Sequence, residues 1–200
     1  RPIEQILKEA EMLAGRGVKE LLLISQDLTF YGADICGKTM LTELVRQLSD
    51  LNRFDWIRLH YTFPSGFPAD LLDLMSERDN ICNYIDIPLQ HISDSVLKSM
   101  RRSITGADTR ALIAGMRERL PQAAIRTTFI VGYPGESKAD FNELKQFAEE
   151  AQFDRMGVFT YSHEEDTHAF GLEDDIPEEV KHARAAELMS VQQQISAKLN

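Results

Sequence analysis

Polar side chains able to hold a ligand collect in this sequence at the ends of short apolar runs. Ser25-Gln26-Asp27 follows the run 18–24, His60-Tyr61-Thr62 follows 56–59, Gln90-His91 follows 84–87, and Tyr161-Ser162-His163 closes the run that begins at Arg155. Arg126 sits among Ile125, Phe129 and Ile130. A guanidinium there must meet an anion or point outward. A carboxylate gripped by two hydrogen bonds is its best partner, and a surface ion pair is the alternative. Ile130-Val131-Gly132 then leads into Tyr133-Pro134-Gly135-Glu136. Glycine lets the backbone approach a flat ring, to which Ile130 and Val131 would offer apolar surface; a glycine before a Pro-Gly turn is also ordinary turn chemistry. Asp27 can equally cap a turn, and His91 can equally be hydrogen-bonded structure.

Metal chemistry is poorly provided for. Cys36 and Cys82 lie far apart, without the close spacing of a metal site or the density of a disulfide scaffold, and read as reduced thiols packed as small apolar groups. Formal net charge is -10, the opposite of a surface that neutralises nucleic-acid phosphates. The chain is 43% hydrophobic and 27% charged, enough for one substantial domain. No apolar run reaches the roughly 18 residues of a membrane span, and Arg1-Pro2-Ile3-Glu4 lacks the layout of a signal peptide, so a cytoplasmic protein is expected.

The elements that would position these groups alternate. Ile3, Ile6, Leu7, Ala10 and Leu13 keep helical spacing until Gly15 and Gly17, and the compact run 18–24 reads as a buried strand. Leu41, Leu44, Val45, Leu48 and Leu51 form a second helical stripe, followed by an alternating strand over 56–61. A helix begun near Pro68 carries Leu71, Leu72 and Met75; 84–87 is the next strand; Ser93, whose hydroxyl can cap, opens a helix through Val96, Leu97 and Met100. Leu112, Ile113, Met116 and Leu120 mark a helix ended by Pro121, and 125–131 is a strand rich in β-branched residues. Ser137 starts a helix with Phe141, Leu144, Phe147 and Ala148 on one face. A fifth strand covers 155–161, an acidic solvated connection 163–177, and a last helix runs from Pro177 to about Lys198. Strands recurring about every 30 to 40 residues have the spacing of βαβ units, which predicts a parallel sheet with sites at the carboxyl ends of its strands. An open doubly wound sheet and a full or partial barrel both satisfy this. The absence of Gly-x-Gly-x-x-Gly and P-loop patterns favours the barrel.

Several of these segments together carry a resemblance. Ser25-Gln26-Asp27-Leu28-Thr29-Phe30-Tyr31-Gly32, His60-Tyr61-Thr62-Phe63-Pro64, Asp86-Ile87-Pro88-Leu89-Gln90-His91-Ile92-Ser93, Met100-Arg101-Arg102, the segment 126–136 and Gly157-Val158-Phe159-Thr160-Tyr161-Ser162 resemble the motifs of the radical-SAM methylthiotransferases almost from end to end. The resemblance implies an α/β fold, a partial (βα)6 TIM-like barrel, whose first strand and Cys-x-x-x-Cys-x-x-Cys cluster loop would precede Arg1. Residues 1–200 would then be one radical-SAM core truncated at its N-terminus, its last helix leading toward a further domain. The resemblance also implies S-adenosylmethionine as cofactor and two four-iron four-sulfur clusters in the full-length enzyme, with none on this chain alone and no metal ligand or certain catalytic residue within it. A reductant protein would serve as partner. In such enzymes a 5′-deoxyadenosyl radical takes hydrogen from an unactivated carbon that then receives a methylated sulfur.

By the same resemblance, Gln26 and Asp27 lie near the methionine end of the cofactor, Gln90 contacts the ribose, Arg126 clamps the carboxylate, and Ile130, Val131, Gly132 and Phe159 pack on the adenine. Gln90-His91-Ile92-Ser93, Leu28-Thr29-Phe30-Tyr31 and the segment 160–165 resemble the ribosomal-protein branch of the family. That implies as substrate the β-carbon of an aspartate in the twelfth small-subunit ribosomal protein, with His60, His91, Tyr161 and His163 facing it. Relatives that modify tRNA usually carry Gln-Ser-Gly-Ser at the Gln90 position. A methylthiotransferase acting on a hypermodified adenosine, the only reading with a nucleic-acid partner, is the alternative among enzymes, and a noncatalytic ligand-binding barrel the alternative outside them.

Overall fold

The computed structural model describes residues 1–199, which cluster into two compact units: Arg1–Ile87 with Gly115–Ala123, and Pro88–Ala114 with the chain from Ala124 onward. In the first unit the order is α1 (Ile3–Gly15), β1 (Glu20–Ile24), the single turn α2 (Ala33–Cys36), α3 (Leu41–Asp50), β2 (Trp56–His60), α4 (Ala69–Glu77) and β3 (Tyr84–Asp86). β1 and β2 are parallel, with Leu21 beside Ile57 and Ile24 beside His60. β3 extends them: Cys82 N–H donates to Ile57 O (2.9 Å) and Thr62 N–H to Asp86 O (3.0 Å). The stripe of α3 is fully buried, Leu41, Leu44, Val45 and Leu48 being at most 2% exposed, and each such side chain contributes about 1.5–3 kcal/mol on leaving water. Leu44 and Leu48 meet Ala10 of α1 and Leu21, Phe54 and Ile57 in one core.

The first strand differs from its expected form. It begins at Glu20 and is buried on one face only: Leu22 is 49% and Ile24 63% exposed. Alternate residues of a strand point to opposite faces, so an unbroken apolar run cannot tell which face the helices cover.

The second unit contains α5 (Asp94–Ser99), the first part of α6 (Gly106–Arg119), β4 (Ala124–Val131), α7 (Lys138–Ala151), β5 (Arg155–Thr160), a 3-10 turn at His168–Gly171, and α8 (Glu178–Leu199). β4 and β5 are parallel, with Thr128 beside Gly157 and Ile130 beside Phe159. Along β4, Ile125, Thr127, Phe129 and Val131 are wholly buried while Ala124, Arg126, Thr128 and Ile130 are partly exposed. Phe129 lies edge-on to Phe147 of α7 (6.3 Å) and to Phe153 (5.9 Å), which places α7 over the buried face. α8 adds buried Leu188, Val191 and Ile195, and Gln192 Nε2 donates to Phe153 O (2.9 Å). No helix among the described residues is long and apolar enough to cross a membrane.

Ser93 precedes α5 as expected, but its hydroxyl does not cap that helix. It donates to Asp140, as does Ser95 (2.8 Å), because an ionised carboxylate is a stronger partner than a backbone amide. Asp140 also completes the capping box of α7 with Ser137. Burial alone would raise the Asp140 pKa; the hydrogen bonds from Ser137, Ser93 and Ser95 outweigh it and hold the carboxyl well below the usual carboxylate range. Asp140→Ala is expected to cost about 1–3 kcal/mol at neutral pH. Because the folded pKa is depressed, that stabilisation is complete above the unfolded value of about 3.9 and fades as pH falls below it. Urea denaturation at pH 7 and pH 3 should show the advantage over the alanine variant shrinking in acid; an equal difference at both would remove the ionised carboxylate from the account.

Candidate functional site

In the second unit the partly exposed face of β4 and β5 carries the groups of interest. Ile130 and Phe159 are register neighbours, and Phe159 is 64% exposed. Gly157, beside Thr128, adds no side chain, so Ile130 and Phe159 form an apolar step with open backbone next to it. Arg126 lies on the same face of β4, four residues earlier, or about 13 Å along the strand. That separation suits a ligand with a flat ring at one end and a carboxylate at the other. Gln90 is fixed at the level of the step, since its N–H donates to Thr128 O (2.9 Å) and its carbonyl accepts from Ile130 N–H (2.8 Å). It holds φ +70, and in the first unit Tyr61, next to His60, holds φ +59. Non-glycine residues take this conformation rarely and at a cost of order 1–3 kcal/mol; Asn52 and Gln152, at helix ends, take it as well.

Four expected positions do something else. Val131 turns into the core. Gly132 (φ +73) gives its N–H to Glu136 Oε2 (2.7 Å), and a Cβ there would lie 2.3 Å from Lys181 Cγ, so the close approach that glycine permits is made by the stem of Lys181. His91, expected to be open to a substrate, is 0% exposed. Its Nδ1 accepts from Ser93 N–H (3.0 Å), which in the neutral ring leaves the proton on Nε2, 3.7 Å from Glu136 Oε2. Tyr161 is buried too: its ring stands edge-on to Tyr133 (5.2 Å), with Lys181 Nζ 5.3 Å from its centre and its hydroxyl 3.0 Å from His163 Nδ1. Burial pushes the Tyr161 hydroxyl pKa up. A histidine after a strand, or a tyrosine at a strand end, looks the same in sequence whether the fold covers it or not. His163 itself is exposed and rests on Phe170 (4.7 Å).

Just past the carboxyl ends of β4 and β5, around Gly132 and Tyr161, lies a charged group that patterning alone did not disclose. Glu136 is buried and accepts from Arg184 Nη1 (2.7 Å). Lys181, only 1% exposed, donates to Asp174 (2.7 Å) and Glu178 (2.8 Å). Burial would lower its pKa, but those two hydrogen bonds hold it above the ordinary lysine value. The stretch 163–177 is therefore more than a solvated connection: Asp174 reaches Lys181, Asp175 accepts from Gly135 N–H (2.9 Å), and Thr167 caps the 3-10 turn. Lys181 and Arg184 stand three apart in a helix rich in charge, a spacing that also describes a solvated face. Glu136 of the Pro-Gly-Glu turn and Asp174 of the acidic stretch 163–177 lay inside segments already singled out, whereas Lys181 and Arg184 did not.

In the first unit Gln26 is exposed after β1, and Asp27 Oδ1 accepts from Thr29 N–H (2.8 Å) and Oγ1 (2.5 Å), the turn-capping alternative. Leu28 N–H donates to Tyr61 O (3.0 Å), which ties this loop to the end of β2. There His60 Nδ1 lies 3.4 Å from the buried Asp86 carboxylate, its ring 5.7 Å from Tyr84. Cys36 is exposed; Cys82 is partly buried, and burial raises its thiol pKa. Among the described residues no three His, Cys, Asp or Glu side chains are placed to hold a metal ion.

Comparison with known proteins extends these observations. The radical SAM superfamily model matches residues 1–148. The chain is 59% identical over 200 residues to the ribosomal protein uS12 methylthiotransferase RimO of Flavobacterium johnsoniae, covering 100% of this chain and 46% of that protein. It is 54% identical to the protein of the same name from Chlorobium phaeobacteroides, over 99% of this chain and 45% of that one. The chain thus spans less than half the length of these curated relatives. Among solved structures it is similar to coproporphyrinogen III oxidase (HemN) from Escherichia coli, a radical SAM enzyme (TM-score 0.70, 19% identity, 96% of this chain and 46% of that one). It is also similar to TsrM, a radical S-adenosylmethionine methyltransferase from Kitasatospora setae (TM-score 0.63, 19% identity, 80% of this chain and 31% of that one). These structural likenesses show the fold, and it is the α/β fold class expected from the sequence.

Proposed function

The chain belongs to the radical SAM superfamily, whose members use S-adenosylmethionine with a four-iron four-sulfur cluster, and from that premise we propose that it is the cofactor-holding core of a ribosomal-protein methylthiotransferase. The target is the β-carbon of an aspartate in the twelfth small-subunit ribosomal protein. Identity of 59% across the whole chain to a protein named for that activity carries the reading.

The residues fit the cofactor. Phe159 and Ile130, side by side on one face, pack against the adenine, Gln90 meets the ribose, and Arg126 grips the carboxylate. Gln26 and Asp27 serve the methionine end. Val131, Gly132, His91 and Tyr161 support these groups from behind, and His60 and His163 keep the substrate-facing role. When bound, cofactor and cluster supply the radical and sulfur chemistry; the chain binds, orients and excludes water. The reading takes the whole chain as one core. It assigns both four-iron four-sulfur clusters and the contact with a reductant protein to other parts of the full-length enzyme, and places that enzyme in the cytoplasm. Exposed Glu164, Glu165, Asp166 and Glu173 and the net charge of -10 suit a basic ribosomal protein and repel tRNA phosphates.

Mass spectrometry of ribosomal proteins and of digested tRNA, from cells with and without the gene, tests this. A methylthio mass lost from the ribosomal protein alone is expected; loss from tRNA nucleosides alone would overturn the substrate.

A further inference from the structure

A buried ammonium is a costly way to fill space, and Lys181 is 1% exposed. A plain hydrocarbon would fill the gap over Gly132 as well. What the ammonium adds is a connection to Asp174, which lies outside its own helix, in the segment 163–177. From the same segment Ala169 and Leu172 pack against the cluster of Val96, Tyr133 and Tyr161, and Ile130, half of the proposed adenine step, packs on that cluster too. Asp175 holds Gly135 N–H in the turn that follows Gly132 (2.9 Å). One side chain therefore meets the glycine turn through its stem, Tyr161 through its charge and the acidic segment through its ion pair.

We propose that Lys181 is a positioning residue that latches the segment 163–177 onto the Gly132 turn, so that order in the segment and affinity for S-adenosylmethionine rise and fall together. The proposal rests on the reading of Ile130 and Phe159 as the adenine step. Anything that engages the acidic face of the segment then favours the latched state and tightens the cofactor site, and the cofactor favours a segment ordered for a basic partner.

The test uses the full-length protein. Lys181→Met keeps most of the stem over Gly132 and removes the ammonium; Asp174→Asn removes only the segment's half of the pair, and it carries the test if the methionine variant fails to fold. Each is expected to raise the calorimetric dissociation constant for S-adenosylmethionine roughly five- to twentyfold, the scale of one charge-assisted hydrogen bond, and to speed amide exchange across 163–177. Lys181→Arg should restore part of both, and the double variant should be no worse than Lys181→Met. Phe159→Ala tests the underlying reading, since it should weaken binding without altering exchange in the segment of the cofactor-free protein. Weakened binding in Phe159→Ala with unchanged affinity in Lys181→Met and Asp174→Asn overturns the latch alone, even if both variants melt earlier. Unchanged affinity in all three overturns the adenine step, and the latch with it.

Discussion

Arg126→Ala in the full-length protein is expected to weaken S-adenosylmethionine binding roughly ten- to a hundredfold, with fold and iron content intact. The loss corresponds to one charge-assisted hydrogen-bond pair to a carboxylate, about 1.5–3 kcal/mol. The fold should be spared because Arg126 projects from the partly exposed face of β4, away from the Phe129, Phe147 and Phe153 cluster that holds the strand in place. Arg126→Lys should recover only part of the affinity, since an ammonium lacks the planar fork. Titration calorimetry decides it. Unchanged affinity in the alanine variant would return Arg126 to the surface ion pairs.

Gly132→Ala is expected to damage both stability and cofactor binding, and Gly135→Ala is its internal control. Both glycines have positive φ, +73 and +80, so each alanine meets left-handed strain of about 1–2 kcal/mol. They differ in surroundings. Nothing lies within 4 Å of a Cβ at Gly135, whereas at Gly132 it would meet Lys181 Cγ at 2.3 Å and Cβ at 2.9 Å. Those atoms are the root of the side chain, so they cannot swing aside without moving α8, and overpacking of this kind costs about 1–3 kcal/mol more. Gly132→Ala should therefore lose roughly 2–5 kcal/mol in denaturant unfolding, well beyond the control. Equal losses would mean that the Lys181 stem yields freely.

Much of the fold was legible because period and punctuation agree with tertiary packing. The α3 stripe of Leu41, Leu44, Val45 and Leu48 and the α7 face of Phe141, Leu144, Phe147 and Ala148 are buried as read, Leu51 just past the end of α3 only partly so, and Pro121 and Ser137 bound helices where expected. Faces were harder to read. Leu22 and Ile24 look as buried as Leu21 and Leu23 in the sequence, and His91 looks as available as His60. Which of them a neighbouring element covers is a long-range fact that local pattern does not encode. Lys181 and Arg184 were invisible for a related reason: their partners Asp174 and Glu136 come from outside the helix that carries them, and a charge on a helix gives no sign of which way it faces.

Mutations on the two faces of β4 meet different tests. Ile125, Thr127, Phe129 and Val131 are closed in by packing, so a change there is judged by whether the protein folds. Arg126 and Thr128 alternate with them on the partly exposed face, so a change there is judged by what the protein binds; Ile130 answers to both, since it also packs on Val96, Tyr133 and Tyr161. A descendant could exchange its ligand by drifting at Arg126 and Thr128 of one eight-residue strand, while the buried residues beside them keep the ancestral scaffold unaltered.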